Sequence, residues 1–191
     1  MLVMRRAFLL IIFIFIYHIS SAPLIDFRMR LTEFRSMSEY VEMKYHDSEF
    51  SRFINNLGRR ESGNNWLCIN RSGCFGDWQV AESTLWYLGY RKVTLKKFKS
   101  DPAIFPREMQ VKALKVLINV NLIYLIDYEH FIGDTIRGVV VTKSGMIAAS
   151  HLGGAGSLKR FLNSNGRVNK RDVLGTSIYE YLRKFNDYDL E

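Results

Sequence analysis

The sequence predicts a mainly α, single-domain helical fold, and three observations carry that expectation. Phe50, Phe53, Ile54 and Leu57 recur at i, i+3, i+4 and i+7, the spacing of one apolar helical face. Pro106 opens a longer run in which Met109, Ala113, Val116, Leu117 and Val120 repeat with the same period. Ser177-x-x-Glu180 is a capping box ahead of Ile178, Tyr181, Leu182 and Phe185, which face one way. With 191 residues, 48% of them hydrophobic and 14% aromatic, the chain can bury a core, and its composition excludes disorder for most of its length.

Taken in order, Arg5 and Arg6 precede an unbroken apolar run, Ala7 to Tyr17, and His18-Ile19-Ser20-Ser21-Ala22 then supplies small residues for cleavage. The run is short of the ~20 residues that span a bilayer. Residues 1–22 therefore read as a signal peptide in preference to an uncleaved membrane anchor, and the product as exported, periplasmic or secreted. Pro23 at the first mature position leaves the cut itself open. Residues 23–46 read as an N-terminal extension, with Phe27, Leu31, Phe34 and Val41 on one helical face although residues 39–45 alternate like a strand. The domain then occupies 47–191, with Asp47 or Ser48 capping its first helix.

One turn beyond Leu57 lies Glu61, so the inward stripe of that helix ends in a carboxyl before Gly63 stops it. Burial there disfavours a charged carboxyl, and a carboxylic acid kept protonated can act as a general acid on a glycosidic oxygen. The alternative is a last-turn surface residue paired with Arg59 or Arg60. Asn64 to Asp77 is loop-like, with Gly73 and Gly76 able to bring backbone close to a ligand and Gln79 offering amide groups. Trp66, Trp78 and Trp86 surround this stretch, as platforms for sugar rings or as an aromatic mini-core. Cys68 and Cys74 are the only cysteines; an exported chain favours a disulfide between them, the alternative being two buried thiols. They lack the neighbouring His or Cys that a zinc site needs.

Ala81 to Leu88 is a short helix stopped by Gly89. Arg91 to Lys99 holds five cations, a solvated face or an attraction for anionic polymer, without the aromatic interleaving of a nucleic-acid binder. The helix opened by Pro106 is apolar on several sides, with Leu114, Ile118, Leu122 and Ile126 beyond its main face. It is therefore expected at the buried centre of the domain, with a break near Asn119 to Asn121. Gly133 and Gly138 mark a turn, Thr142 or Ser144 caps a small-residue helix from Gly145 to Leu152, and Leu158 to Leu162 is another short helix. The net charge of +8 and a pI near 9.5 suggest an anionic partner but do not separate nucleic acid, membrane surface and acidic wall polymer.

Three segments in this order, Glu61-Ser62-Gly63, Gly73-x-x-Gly76-x-x-Gln79 and Ala148-Ala149-Ser150-His151-Leu152-Gly153-Gly154, form a pattern. It resembles the soluble lytic transglycosylase and goose-type lysozyme group of the lysozyme-like superfamily, with its Glu-Ser pair, Gly-Ala-x-Gly-Leu-Met-Gln loop and Ala-Tyr-Asn-Ala-Gly segment. The resemblance covers Asp47 to about Phe161. It implies a lysozyme-like helical fold and cleavage of peptidoglycan between N-acetylmuramic acid and N-acetylglucosamine. Glu61 would protonate the leaving oxygen. It would then take a proton from the muramoyl 6-hydroxyl, giving an anhydro sugar, or from water. Ser62, Gly76, Asp77, Trp78, Gln79, Ser150, His151 and Gly153 would bind substrate, with no metal or organic cofactor. The implied partners of this monomer are peptidoglycan glycan strands and anionic wall polymers, not nucleic acid.

Two departures from the pattern stand out. Asp77 replaces an apolar residue, as a second carboxylate of the paired type or as a loop-tip surface residue. Ser150-His151 replaces the Tyr-Asn pair, with His151 as a hydrogen-bonding group in the cleft or as a satisfied helix-end histidine. A wall-binding module that kept the fold without turnover is the second reading, and a secreted binder of nucleic acid or membrane surfaces the third.

Overall fold

The computed structural model describes residues 48–190; the signal-peptide, N-terminal-extension and Asp47 cap readings lie outside these residues. Of the residues described, 57% are helical and 6% extended, so the chain is mainly α. Among the described residues seven α-helices follow one another: α1 (Ser48–Ser62), α2 (Glu82–Tyr87), α3 (Leu95–Ser100), α4 (Arg107–Leu125), α5 (Lys143–Gly153), α6 (Ala155–Asn163) and α7 (Ile178–Lys184). Short 3-10 turns at Pro102–Ile104 and Ile126–Phe131 flank α4, and a small hairpin, β1 (Thr135–Ile136) with β2 (Val139–Val140), precedes α5.

The local rules account for most boundaries. In α1, Phe50, Phe53 and Leu57 are buried on one side. The cationic stretch after Tyr90 forms α3, capped by the Thr94 hydroxyl accepting from the Lys97 N–H; Phe98 is buried while Arg91, Lys92, Lys96, Lys97 and Lys99 stay in water. In the hairpin, Thr135 pairs with Val140 and Ile136 with Val139, across a turn in which Arg137 (φ +52°) and Gly138 (φ +79°) are both left-handed. That is the two-residue turn whose twist suits a hairpin. It was legible as a turn but not as strands, because four residues are too few for a period-2 pattern.

The expectation that the longest helix forms the centre is corrected. Pro106 is the N-cap of α4, and the helix runs unbroken through Asn119 and Asn121, which are buried. Its inner face is Gln110, Ala113, Leu114, Ile118 and Leu125, whereas Tyr124 and Ile126 are 44% and 60% exposed. The centre is α5, in which every residue from Ser144 to Ser150 is buried and which packs against α7, α6 and α4. Small side chains explain this position, because they let neighbouring backbones approach. A Cβ built on Gly145 would lie 3.0 Å from the Leu182 carbonyl oxygen, and one on Gly153 2.5 Å from Ile178 Cδ1.

Helix α7 is set by the expected capping box. The Ser177 hydroxyl accepts from the Glu180 N–H at 3.3 Å, and Glu180 Oε2 accepts from the Ser177 N–H at 2.6 Å. Ile178, Tyr181, Leu182 and Phe185 are buried behind it. The Ser177 hydroxyl, and then its backbone N–H, hold the Glu180 carboxyl below the usual carboxylate range. A carboxyl depressed in the folded state stabilises above its unfolded pKa and loses that contribution as pH falls through the folded value. Ser177→Ala is expected to lower the unfolding free energy by about 1 kcal/mol at neutral pH and to flatten the acid limb of stability; denaturant titrations at pH 7 and in the acid range check both, and parallel acid limbs would contradict the linkage.

Candidate functional site

Glu61 stands in the last turn of α1, where the inward stripe of that helix reaches the edge of the core. Gly63 (φ +70°) and Asn64 (φ +61°) then turn the chain away, their N–H groups returning to the carbonyls of Arg59 and Gly58. The Glu61 side chain is 16% exposed, neither in bulk water nor sealed. Its Oε1 accepts the Tyr181 hydroxyl at 2.5 Å, and no hydrogen bond among the described residues holds Oε2. Burial first, and then the charge and hydrogen bond of Glu61, push the Tyr181 phenol well above its ordinary value. Tyr181 therefore stays a donor to Glu61 through neutral and alkaline pH.

His151, in the last turn of α5, brings Nε2 to 4.0 Å from the same Glu61 oxygen, with 6% of its side chain exposed. Nε2 also lies 2.9 Å from the Trp78 carbonyl. A carbonyl only accepts, so this nitrogen carries a proton, while Nδ1 is buried without a hydrogen-bond partner among the described residues. Histidine is thus tied to the loop backbone and also borders the carboxyl.

These groups open onto a cleft of about 500 Å³. Glu61, Gln79, His151, Gly153 and Tyr181 line it, together with Arg60 on the end of α1 and Lys170, Asp172, Val173 and Leu174 on the loop before α7. Gln79 has φ +47°, and its amide donates to the carbonyls of Gly76 at 2.7 Å and Cys68 at 3.2 Å. Its donors hold the loop, so they are not offered to a sugar as expected. Cys74 also lines the cleft; burial pushes its thiol up, partly offset by the Asn70 side chain. Cys68 and Cys74 are free thiols here, so the expected disulfide is not formed in this structure.

Of the expected substrate-binding residues, Gln79, His151 and Gly153 line the cleft, and five do not. Gly76 is buried with φ +88°, and a Cβ there would meet Gln110 Oε1 at 2.6 Å. Asp77 is fully buried: Oδ2 accepts Arg107 Nε at 2.8 Å, Oδ1 lies 3.4 Å from the Ser62 hydroxyl, and its N–H donates to Gln110 Oε1 at 2.7 Å. It is neither a loop-tip residue nor a second carboxylate of the cleft. Ser62 caps the turn by accepting the Asn65 N–H, and Ser150 is buried, donating to the Ile147 carbonyl. Trp78 is 2% exposed and donates from Nε1 to the Ile54 carbonyl. Trp66 and Trp86 do not line the cleft either; Trp86 is 58% exposed beneath the Arg91 guanidinium. The three tryptophans are therefore not platforms in this cleft.

Sequence reasoning assigned Tyr181 only to the core and gave no role to Arg60 in binding, nor to Lys170, Asp172, Val173 or Leu174. The one available signal was a phenol among aliphatic inward positions of α7, since a buried hydroxyl needs a partner. Among the described residues, no three His, Cys, Asp or Glu side chains cluster to hold a metal ion.

Removing the Arg107 side chain leaves the Asp77 carboxylate buried without its cation. Arg107 is itself about half exposed (48%), so we expect Arg107→Ala to cost about 2 kcal/mol of unfolding free energy, below the 3–5 of a fully buried pair. Urea unfolding measures it, and an unchanged midpoint would show that the pair does not hold the loop. No protein-family model, curated protein or solved structure matches the chain.

Proposed function

We propose that this chain is an exported, lysozyme-like enzyme that cleaves peptidoglycan glycan strands between N-acetylmuramic acid and N-acetylglucosamine, with Glu61 as acid and then base. The observation that carries this reading is the Glu61 carboxyl at a partly shielded helix end, one oxygen held by Tyr181 and the other without a hydrogen bond among the described residues, in a cleft shared with Gln79 and Gly153. Protonated Glu61 donates its proton to the glycosidic oxygen as the bond to the muramoyl anomeric carbon breaks. The resulting carboxylate is stabilised by the Tyr181 hydroxyl bond. It then accepts a proton from the muramoyl 6-hydroxyl, closing a 1,6-anhydro ring, or from a water that attacks the same carbon.

A second reading keeps the cleft without turnover, as a peptidoglycan-binding module. It is favoured by the Ser150-His151 pair standing where the resembled pattern has Tyr-Asn, with Ser150 buried and His151 tied to the Trp78 carbonyl.

Zymography on purified wall, with mass analysis of the released muropeptides, decides between the two. Glu61→Gln is expected to lower clearing by about 10²–10⁴-fold, the span of a general acid. Tyr181→Phe is expected to lower kcat by about 10–100-fold at little change in KM, as for a hydrogen bond to a charged group. Clearing by Glu61→Gln equal to wild type would remove Glu61 from the chemistry. Pelleting with sacculi but no muropeptide release by the wild type would leave the binding module. A product lighter by one water marks the anhydro route.

A further inference from the structure

Residues 170–176 form one wall of the cleft, and the loop has a closed hydrogen-bonded frame. Asp172 Oδ1 accepts the N–H groups of Leu174 at 2.9 Å and Thr176 at 2.8 Å. The Asp172 N–H donates to the Thr176 carbonyl at 2.8 Å, and the Gly175 N–H, at φ +85°, returns to the Asp172 carbonyl at 3.1 Å. This frame holds Val173 and Leu174 out into water, each 82% exposed, whereas Ile126 follows at 60%. Single exposed apolar residues are ordinary. Two adjacent ones, fixed on a bonded loop at the rim of a cleft, make a contact surface.

The same wall carries unspent positive charge. Lys170 and Arg60 line the cleft, and among the described residues neither pairs with a carboxylate. Among the described residues the Arg60 guanidinium makes one hydrogen bond, to the Thr176 hydroxyl at 3.0 Å, which leaves most of its fork of donors available. Arg171 differs, because it faces Glu180 at 3.6 Å and donates to the Gly175 carbonyl. The carboxylate of Asp172 is turned to the loop's own N–H groups. A ligand that complements this lining carries carboxylates and small apolar groups, and it occupies the same cleft as Glu61.

We propose that Lys170, Arg60 and the Val173-Leu174 tip bind the acidic, alanine-containing peptide stem borne by the muramoyl residue, the cations taking its carboxylates and the tip its methyl groups. The identity of this ligand rests on the glycan-cleaving reading above; the complement of charge and apolar surface does not. An anionic bilayer offers the same two chemistries, but here the cations line the groove that leads to Glu61 rather than a separate outer face.

Calorimetry with the Glu61→Gln chain, which removes turnover, would compare uncrosslinked glycan strands carrying peptide stems with the same strands stripped by an amidase. Peptide-bearing strands should bind about tenfold or more tightly, with the difference shrinking as salt rises. Lys170→Gln and the pair Val173→Ser with Leu174→Ser, all at exposed positions, should each erase most of that difference, with a much smaller effect on the affinity for stripped strands. Equal binding of the two strands, or a preference that all these variants keep, would overturn the proposal. So would binding to phosphatidylglycerol vesicles that needs Val173 and Leu174 without any preference for stems, since that would assign the loop to a membrane. If the wild type releases no muropeptide while the stem preference persists, the enzymatic reading falls and the role of the loop stands.

Discussion

The approach of α7 to α5 is the constraint on which the site depends. It is permitted by what Gly145 and Gly153 lack: a Cβ at either would crowd the Leu182 carbonyl or the Ile178 side chain. With α7 seated there, Tyr181 reaches across to Glu61 and joins α7 to α1 over 120 positions of chain. The same α5 carries His151 in its last turn, so one close contact delivers both Tyr181 and His151 to the carboxyl. Packing of this kind is specified by volume rather than by strong individual bonds, and small changes in volume are felt across a close-packed core.

A second device holds the loop between α1 and α2. Gln110, buried on α4, accepts the Asp77 N–H and donates to the carbonyls of Phe105 and Trp66. Arg107, one turn before Gln110, neutralises the buried Asp77 carboxylate. Between them these two residues satisfy polar groups that would otherwise be costly to bury. The loop can then keep left-handed backbone at Gly76 and Gln79, which aims Gln79 into the cleft while its own amide closes the turn. A motif of glycines and polar residues that looks built for a ligand is here spent largely on holding itself in place.

The resulting cleft is mixed in its chemistry. Glu61, His151 and Tyr181 line it with little access for water, whereas Arg60, Lys170 and the Val173-Leu174 tip of a hydrogen-bonded loop are open to solvent. That mixture suits a ligand with one neutral segment and one charged appendage. The catalytic proposal and the stem-binding proposal draw on different side chains of the same groove.

Local features were read well from sequence alone. The period of Phe50, Phe53 and Leu57, the Ser177–Glu180 box, the Thr142 cap and the placement of Glu61 at the end of an inward stripe depend on neighbours within a turn or two, and each is present in the structure. What long-range packing decides was hidden. The apolar character of α4 said nothing about which faces meet partners, so Tyr124 and Ile126 lie in water while the smaller residues of α5 take the centre. Asp77 and Trp78 looked like ligand groups because loop position and polarity are visible in sequence, whereas the Arg107 and Ile54 partners that bury them are 30 and 24 residues away. Sequence determined most of the helices, the Thr142 and Ser177 caps and the candidate acid. Only the tertiary structure decided which polar side chains face a cleft and which are consumed within the fold, because that choice depends on contacts between segments whose separation along the chain carries no local signal.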